Sequence, residues 1–378
     1  MAITAAVGVS IIYVPQPIQT LAAAELGVPI AQSSSASVAV QAGYALGVIL
    51  LVSLGDRLSP VRQVTVQLAA TATALIVAAC AGDYLLFTIM MFVAGAAATV
   101  GQILVSAALR LAPTEQRART AAVLLGSFLI GLFSVRTLLG TVAEPLGWRT
   151  VLVAAAVIVL ACIPLTLRFA PRERPAATTS YLRILGSIPR IVASSVTLRL
   201  LTATHAFAFS SFISVWSMIT LFGVTDLGLS VTKTATIGIA GIVGGAATVA
   251  SARSQARLGT RRALPASLLV LILGCTLIAA FTHALVVVVL GLFFVSFGMS
   301  SSQVSSQADA LASVDPAESG RANTVFMATT FFAGATATAL SDLIMRSVGF
   351  SGVALFAAAL AAASLAVSAL ARRRSRAA

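Results

Sequence analysis

QAGYALGVILLVSLGDRLSPVRQ, Gln41 to Gln63, begins as an apolar, glycine-spaced helix and ends in a tight charged turn, Gly55-Asp56-Arg57-Leu58-Ser59-Pro60-Val61-Arg62. A new apolar run starts immediately after Arg62. The turn is too short to be a domain, and its basic residues read as a clamp on one face of a membrane, because Lys and Arg concentrate in short cytoplasmic loops. Gly43 and Gly47 lie four apart, a spacing that lets a neighbouring backbone approach closely inside a bilayer. An ordinary loop beside ordinary small-residue packing would look the same in isolation. The recurrence of a similar turn in the second half of the chain favours the membrane reading.

The rest of the composition agrees. Of 378 residues, 59% are hydrophobic and 9% charged, with a mean hydropathy of +1.03. A soluble domain carries roughly 25% charged residues and about 45–50% apolar ones, so a single water-exposed core cannot hide this much apolar surface. A membrane span needs about 20 apolar residues, and about 30 per span plus loop leaves room for roughly a dozen. The net charge of +13 would suggest nucleic acid in a soluble protein. Here the basic residues are scattered through short loops, with no basic face and no aromatic interleaving, so the charge reads as topology and attraction to lipid rather than nucleic-acid binding. Cys80, Cys162 and Cys275 sit in apolar runs without metal spacing or a disulfide framework, and no cofactor is expected. Pro15 and Pro17 interrupt the first apolar run, which argues against a cleaved signal peptide.

Apolar runs between charged or turn-rich breaks predict twelve spans, at about 2–23, 34–54, 63–82, 84–109, 120–143 and 150–167, then 193–221, 231–251, 263–281, 284–307, 322–344 and 351–371. The one long polar interruption is basic and contains proline. It divides the chain into an N-terminal six-helix bundle (1–167), a cytoplasmic linker (168–190) with a short amphipathic helix near Tyr181–Ile188, and a C-terminal six-helix bundle with a basic tail (191–378). With both termini cytoplasmic, nineteen of the 24 basic residues fall on the inside, and only Arg149, Lys233 and Arg346 on the outside. An odd number of spans would destroy that asymmetry. The two halves repeat: Asp56–Arg62 aligns with Ala256–Arg262, Pro113–Thr120 with Pro316–Thr324, and Gly147-Trp148-Arg149 with Gly349-Phe350-Ser351. A parallel repeat of six spans is the plan of one large transporter class.

On these residues the sequence resembles the major facilitator superfamily over nearly its whole length. Gly55-Asp56-Arg57 to Arg62 is similar to that family's signature loop, with Ser59 and Pro60 replacing the usual glycine and basic residue. Tyr13–Pro17, Gln41–Gly47 and Asp315–Thr324 resemble bacterial sugar-efflux and multidrug-efflux permeases. The resemblance implies an all-α integral membrane protein with twelve transmembrane helices in two pseudo-symmetric bundles around a central cavity. It implies a secondary active transporter, not an enzyme, that exports a small organic compound by alternating access with proton coupling. Such a protein would act as a monomer, multi-pass in the cell inner membrane. Proton-coupled uptake of a sugar or organic anion stays open, because the span-5 stretch Gly126–Arg136 lacks the proline of drug–proton antiporters. A non-transporting receptor or scaffold is the reading from a different class, and Ala256, in place of an acid, is its only support.

The expected work is alternating exposure of a midplane site, without covalent chemistry. Arg136 lies about sixteen residues into its span, roughly 24 Å from the cytoplasmic end at 1.5 Å per residue. An arginine at mid-depth costs about 2.5–3.5 kcal/mol even on the gentler insertion scale, so it should face a cavity or a partner. Contact with a substrate anion or a coupling role is one reading; pairing with carbonyls or with Asp342 is the other. Tyr13 and Gln16 share a helix face beside Pro15 and Pro17, as a cavity wall or a packed kink. Gln102 and Gln303 add amides, as cavity lining or interhelical glue. His205 sits among Phe207, Phe209, Phe212 and Trp216, as a titrating group or a histidine satisfied by a carbonyl. The phenylalanines read as lipid-facing or packing, and Trp148 and Trp216 as members of aromatic belts. A proton carrier is Asp342, an edge acid such as Asp83 or Glu144, or absent. Gly55, Asp56, Arg57, Arg62, Arg257 and Arg262 form the expected conformational-switch loops.

Overall fold

The structure, a computed structural model, describes all residues except 56, 112–130, 132–133, 171, 173–180, 316–317 and 378. The described residues are almost entirely helical, without strands. Among the described residues, ten helices are long and apolar enough to cross a membrane, and Ala2–Tyr13 with Pro15–Glu25, bent by 41°, makes an eleventh if the pair is one span. These fall on eleven of the predicted spans within a few residues at each end. The twelfth, expected at 120–143, lies largely outside the described residues, and its far end continues as a helix over 134–146. Asp56 of the expected switch loop also lies outside them, whereas Arg57, Arg62, Arg257 and Arg262 are exposed.

The chain forms two compact units. One comprises Met1–Leu185 with Leu229–Gly238, the other Gly186–Gly228 with Ile239–Ala378. The division at Leu185 falls inside the predicted linker, within the helix Tyr181–Ser194.

In the first unit, helices α1 (Ala2–Ser10) and α2 (Pro15–Glu25) are two parts of one span. Pro15 and Pro17 donate no backbone hydrogen bond, so the α-helical ladder cannot run through them. The chain tightens instead into a 3₁₀ turn at Ile11–Tyr13, and Pro15 restarts the helix at its first turn. Helix α3 (Ser35–Gly47) packs at backbone contact on α5 (Tyr84–Ala97), which follows α4 (Pro60–Ala79). A Cβ on Gly43 would collide with the Phe92 carbonyl, one on Gly47 with the Ala96 carbonyl, and one on Gly95 with the Val40 carbonyl. The glycine spacing in the sequence is therefore the seam of this helix pair.

The second unit is built around the 30-residue helix Val196–Thr225, most of whose length is buried against Leu285–Ala312, Ser319–Val348 and Phe350–Ala377. The internal repeat is visible in the backbone. Gly147 (φ 78°) precedes Trp148–Phe169 and Gly349 (φ 82°) precedes Phe350–Ala377, each opening the last helix of its half. Both φ values lie in a region that residues with a Cβ avoid. Both tryptophans are buried, a correction to the belt expectation: Trp148 donates to Glu25 and packs edge-on to Phe87, and Trp216 stacks on Phe212. Phe209, Phe212, Phe326 and Phe331 are also buried, so this aromatic group packs inside the second unit.

Candidate functional site

Four of the singled-out polar residues meet in the first unit, together with one that sequence reasoning did not select. Arg136, on the helical segment 134–146, donates from Nη1 to Gln16 Oε1 at 3.1 Å. Tyr13, three residues before Gln16, lies within electrostatic reach of both Arg136 and Tyr44. Gln102, on the helix Val100–Leu111, reaches the Tyr44 hydroxyl at 3.4 Å. The result is a polar line from Gln102 through Tyr44 and Tyr13 to Arg136 and Gln16, drawn from the first, second, fourth and fifth spans.

All five side chains are out of solvent: Tyr13, Gln16, Tyr44 and Arg136 are 0% exposed and Gln102 4%. Burying a guanidinium and several amides and phenols is costly unless each group finds a partner. Gln16 spends its carbonyl oxygen on Arg136, while Gln16 Nε2 and the Tyr13 hydroxyl have no hydrogen-bond partner among the described residues. The proline break explains how Tyr13 and Gln16 come to be held here. It ends one helix at Tyr13 and restarts the next at Pro15, which fixes both side chains at the bend.

The other expected residues have their own surroundings. Gln303 is half-buried on Leu285–Ala312 in the second unit. His205, also in the second unit, stacks face to face on Phe326 with ring centroids 5.0 Å apart, and neither ring nitrogen has a partner among the described residues. Asp342 is buried and forms an ion pair with Arg346, one turn along its own helix. The two edge acids are held at helix starts. Asp83 accepts from the Leu86 backbone N–H at 2.8 Å and so caps α5. Glu144 accepts from the backbone N–H groups of Val231 (3.0 Å) and Thr232 (3.1 Å), at the start of the short helix Val231–Thr236. Burial alone would raise the Glu144 carboxyl, but the hydrogen bonds from Thr232, Val231 and Ser230 outweigh it and hold the group below the ordinary carboxylate value. Beside it, Gly140 packs under Ala235 and Pro17, and Thr137 lies against Gly238, so Leu229–Gly238 is seated on the first unit.

Among the described residues, no group of three or more His, Cys, Asp or Glu is placed to hold a metal ion. Tyr44 was the site residue that sequence reasoning missed. Its signal was a polar-tipped aromatic within an apolar helix, next to Gly43.

A polytopic helical chain with a buried polar cluster on broken and intact spans is the architecture of a membrane transporter. The sequence profile described as Major Facilitator Superfamily matches residues 1–338 and 245–378, and the chain belongs to that superfamily. It is 29% identical over 363 residues, 95% of its own length and 84% of the relative's, to a probable transporter of Streptomyces coelicolor. It is 27% identical over 218 residues to the putative uncharacterized transporter YgaY of Escherichia coli strain K12, a match that covers 57% of this chain and 55% of that relative. The chain thus spans about half the length of the Escherichia coli relatives it matches. Among solved structures, the human organic anion transporter MFSD10 superposes with a TM-score of 0.76 over 97% of both chains, at 15% identity, a likeness of fold.

Proposed function

We propose that this chain is a secondary active transporter that exports a small organic compound across the cell inner membrane by alternating access, coupled to protons. On this proposal it acts as a monomer with both termini in the cytoplasm. The observation that carries the reading is the buried line of Tyr13, Gln16, Tyr44, Gln102 and Arg136 within the first unit. Ionisable and strongly polar side chains inside a membrane are expensive, and they persist where they serve a substrate or ion pathway. The break at Pro15 supports the same reading, because irregular backbone at membrane depth is tolerated where it is packed by protein or lines a wet cavity. Asp342, buried in the second unit, is the proposed proton carrier. His205 and Gln303 are that unit's candidates for substrate contact. The loops carrying Gly55, Asp56, Arg57, Arg62, Arg257 and Arg262 are proposed to bias the exchange between access states.

A second reading, uptake of a sugar or organic anion, is favoured by Arg136 and by the absence of proline from Gly126–Arg136. Whole-cell accumulation of a labelled compound panel, with and without an uncoupler, separates the two. Export predicts lower accumulation on expression, relieved by the uncoupler. Uptake predicts higher accumulation, abolished by it. Gradient-independent behaviour across the whole panel would overturn secondary transport.

A further inference from the structure

We infer that the Tyr13–Gln16–Arg136 cluster takes the anionic head of a small organic acid, a carboxylate or a group of similar oxygen geometry. This rests on the transport reading above and narrows its substrate class. The cluster is short of acceptors. Gln16 can accept and donate, but its oxygen is engaged by Arg136, so what remains to it is the Nε2 donor, without a partner among the described residues. The Tyr13 hydroxyl, likewise without a partner there, lies within electrostatic reach of the guanidinium and has a proton to donate. Arg136 itself offers N–H groups and no acceptor.

A ligand that completes this set must bring lone pairs and negative charge. A carboxylate has two oxygens able to accept from the two orphan donors together, beside the positive charge of Arg136. A polyol suits the site less well, because every hydroxyl it brings carries a proton that needs an acceptor in turn. Tyr44, accepting from Gln102, extends the polar line toward the second and fourth spans.

The test uses the full-length purified protein and a matched pair of probes, benzoate and benzamide, with chloride as the inorganic control. Binding is read by thermal shift and by calorimetry. Benzoate should bind and raise the unfolding temperature, while benzamide and chloride should not at the same concentration. The decisive variant is Gln16→Glu. It is nearly isosteric, and it places a carboxylate within reach of Arg136, so it should fold at least as stably as the parent and compete internally for the site. Its affinity for benzoate should fall about tenfold to a hundredfold, the worth of a charge-assisted hydrogen bond. Arg136→Gln should show the same loss where it folds.

Equal binding of benzamide, or an undiminished benzoate response in Gln16→Glu, overturns the inference. So does the absence of any response to benzoate, methylphosphonate and benzenesulfonate. A response that chloride reproduces assigns the site to an inorganic ion and overturns it as well. Flux in proteoliposomes is scored separately. Transport of neutral compounds without an anion preference sinks the inference and leaves the transporter standing. Benzoate binding without flux of any probe does the reverse.

Discussion

Replacing Glu144 by Gln should loosen Leu229–Gly238 without disturbing the rest of the first unit. The carboxylate accepts two backbone N–H groups, from Val231 and Thr232, at the start of a six-residue helix. A glutamine keeps one acceptor oxygen and loses the charge. Glu144 is exposed, so the charge is worth only the surface value for a helix N-terminus, about 0.3–1 kcal/mol. The lost hydrogen bond adds about 0.5–1.5 kcal/mol. Together they amount to roughly 1–2 kcal/mol, or a five- to thirty-fold shift in a two-state opening. Hydrogen–deuterium exchange of a peptide covering Leu229–Gly238 reads this directly: uptake should be faster by about that factor, with peptides from α5 unchanged. The pH dependence has a defined sign. The Glu144 carboxyl is held below its ordinary value of 4.5. Its contribution is therefore complete above that value and disappears only as pH falls through the lower folded value. Protection corrected for intrinsic exchange should stay flat from neutral pH down to that region and then collapse. Unchanged uptake in Glu144→Gln, or a loss of protection beginning near neutral pH, would refute the assignment of the carboxylate as the fastening.

Gly349→Ala should destabilise the purified protein by about 1–3 kcal/mol, because φ 82° and ψ −172° form a region nearly reserved for glycine. Gly186→Ala, in the interior of the helix Tyr181–Ser194 with open space around it, should instead stabilise by about 0.5–1 kcal/mol. Paired thermal unfolding curves check both signs. Asp342→Asn should cost about 1–3 kcal/mol, the worth of a hydrogen bond to a charged group, since Asp342 is buried and Arg346 half-exposed, and it should abolish proton-dependent flux, as pH-jump transport in proteoliposomes would show. Asp56→Asn should slow turnover while leaving substrate affinity within a few-fold, and a normal transport rate in that variant would remove the switch role from the loop.

Much of the fold was legible because membrane spans announce themselves by composition alone. A run of apolar residues long enough to cross needs no knowledge of its neighbours, so span ends such as Pro60–Ala79 and Trp148–Phe169 agree with those read from hydropathy and turns. The break near Tyr13 was legible for a similar reason, since Pro15 and Pro17 act on their own backbone. Arg136, Gln16, Tyr13 and Gln102 stood out singly as polar groups in apolar surroundings. Their convergence did not, because it depends on how four spans rotate about their axes, and no local pattern encodes that. The same limit hid the partner of Glu144, 87 residues away, and the union of Glu25 with Trp148 and Arg149. Tyr44 was overlooked because an aromatic ring in a span passes for packing until its hydroxyl is seen to reach Gln102.

The seam between α3 and α5 has a consequence for how this sequence can drift. At Gly43, Gly47 and Gly95 even a methyl group meets a facing carbonyl. Every single-nucleotide change of a glycine codon that alters the residue introduces a side chain or a stop, so no conservative step leads away from these positions. The polar line at Tyr13 and Gln16 can be retuned by exchanging one polar group for another, and a change of substrate would proceed that way. A saturation mutagenesis experiment scored only for membrane expression, with no substrate present, should therefore pick out the three glycines as intolerant. The site residues should emerge only when cells are selected for transport.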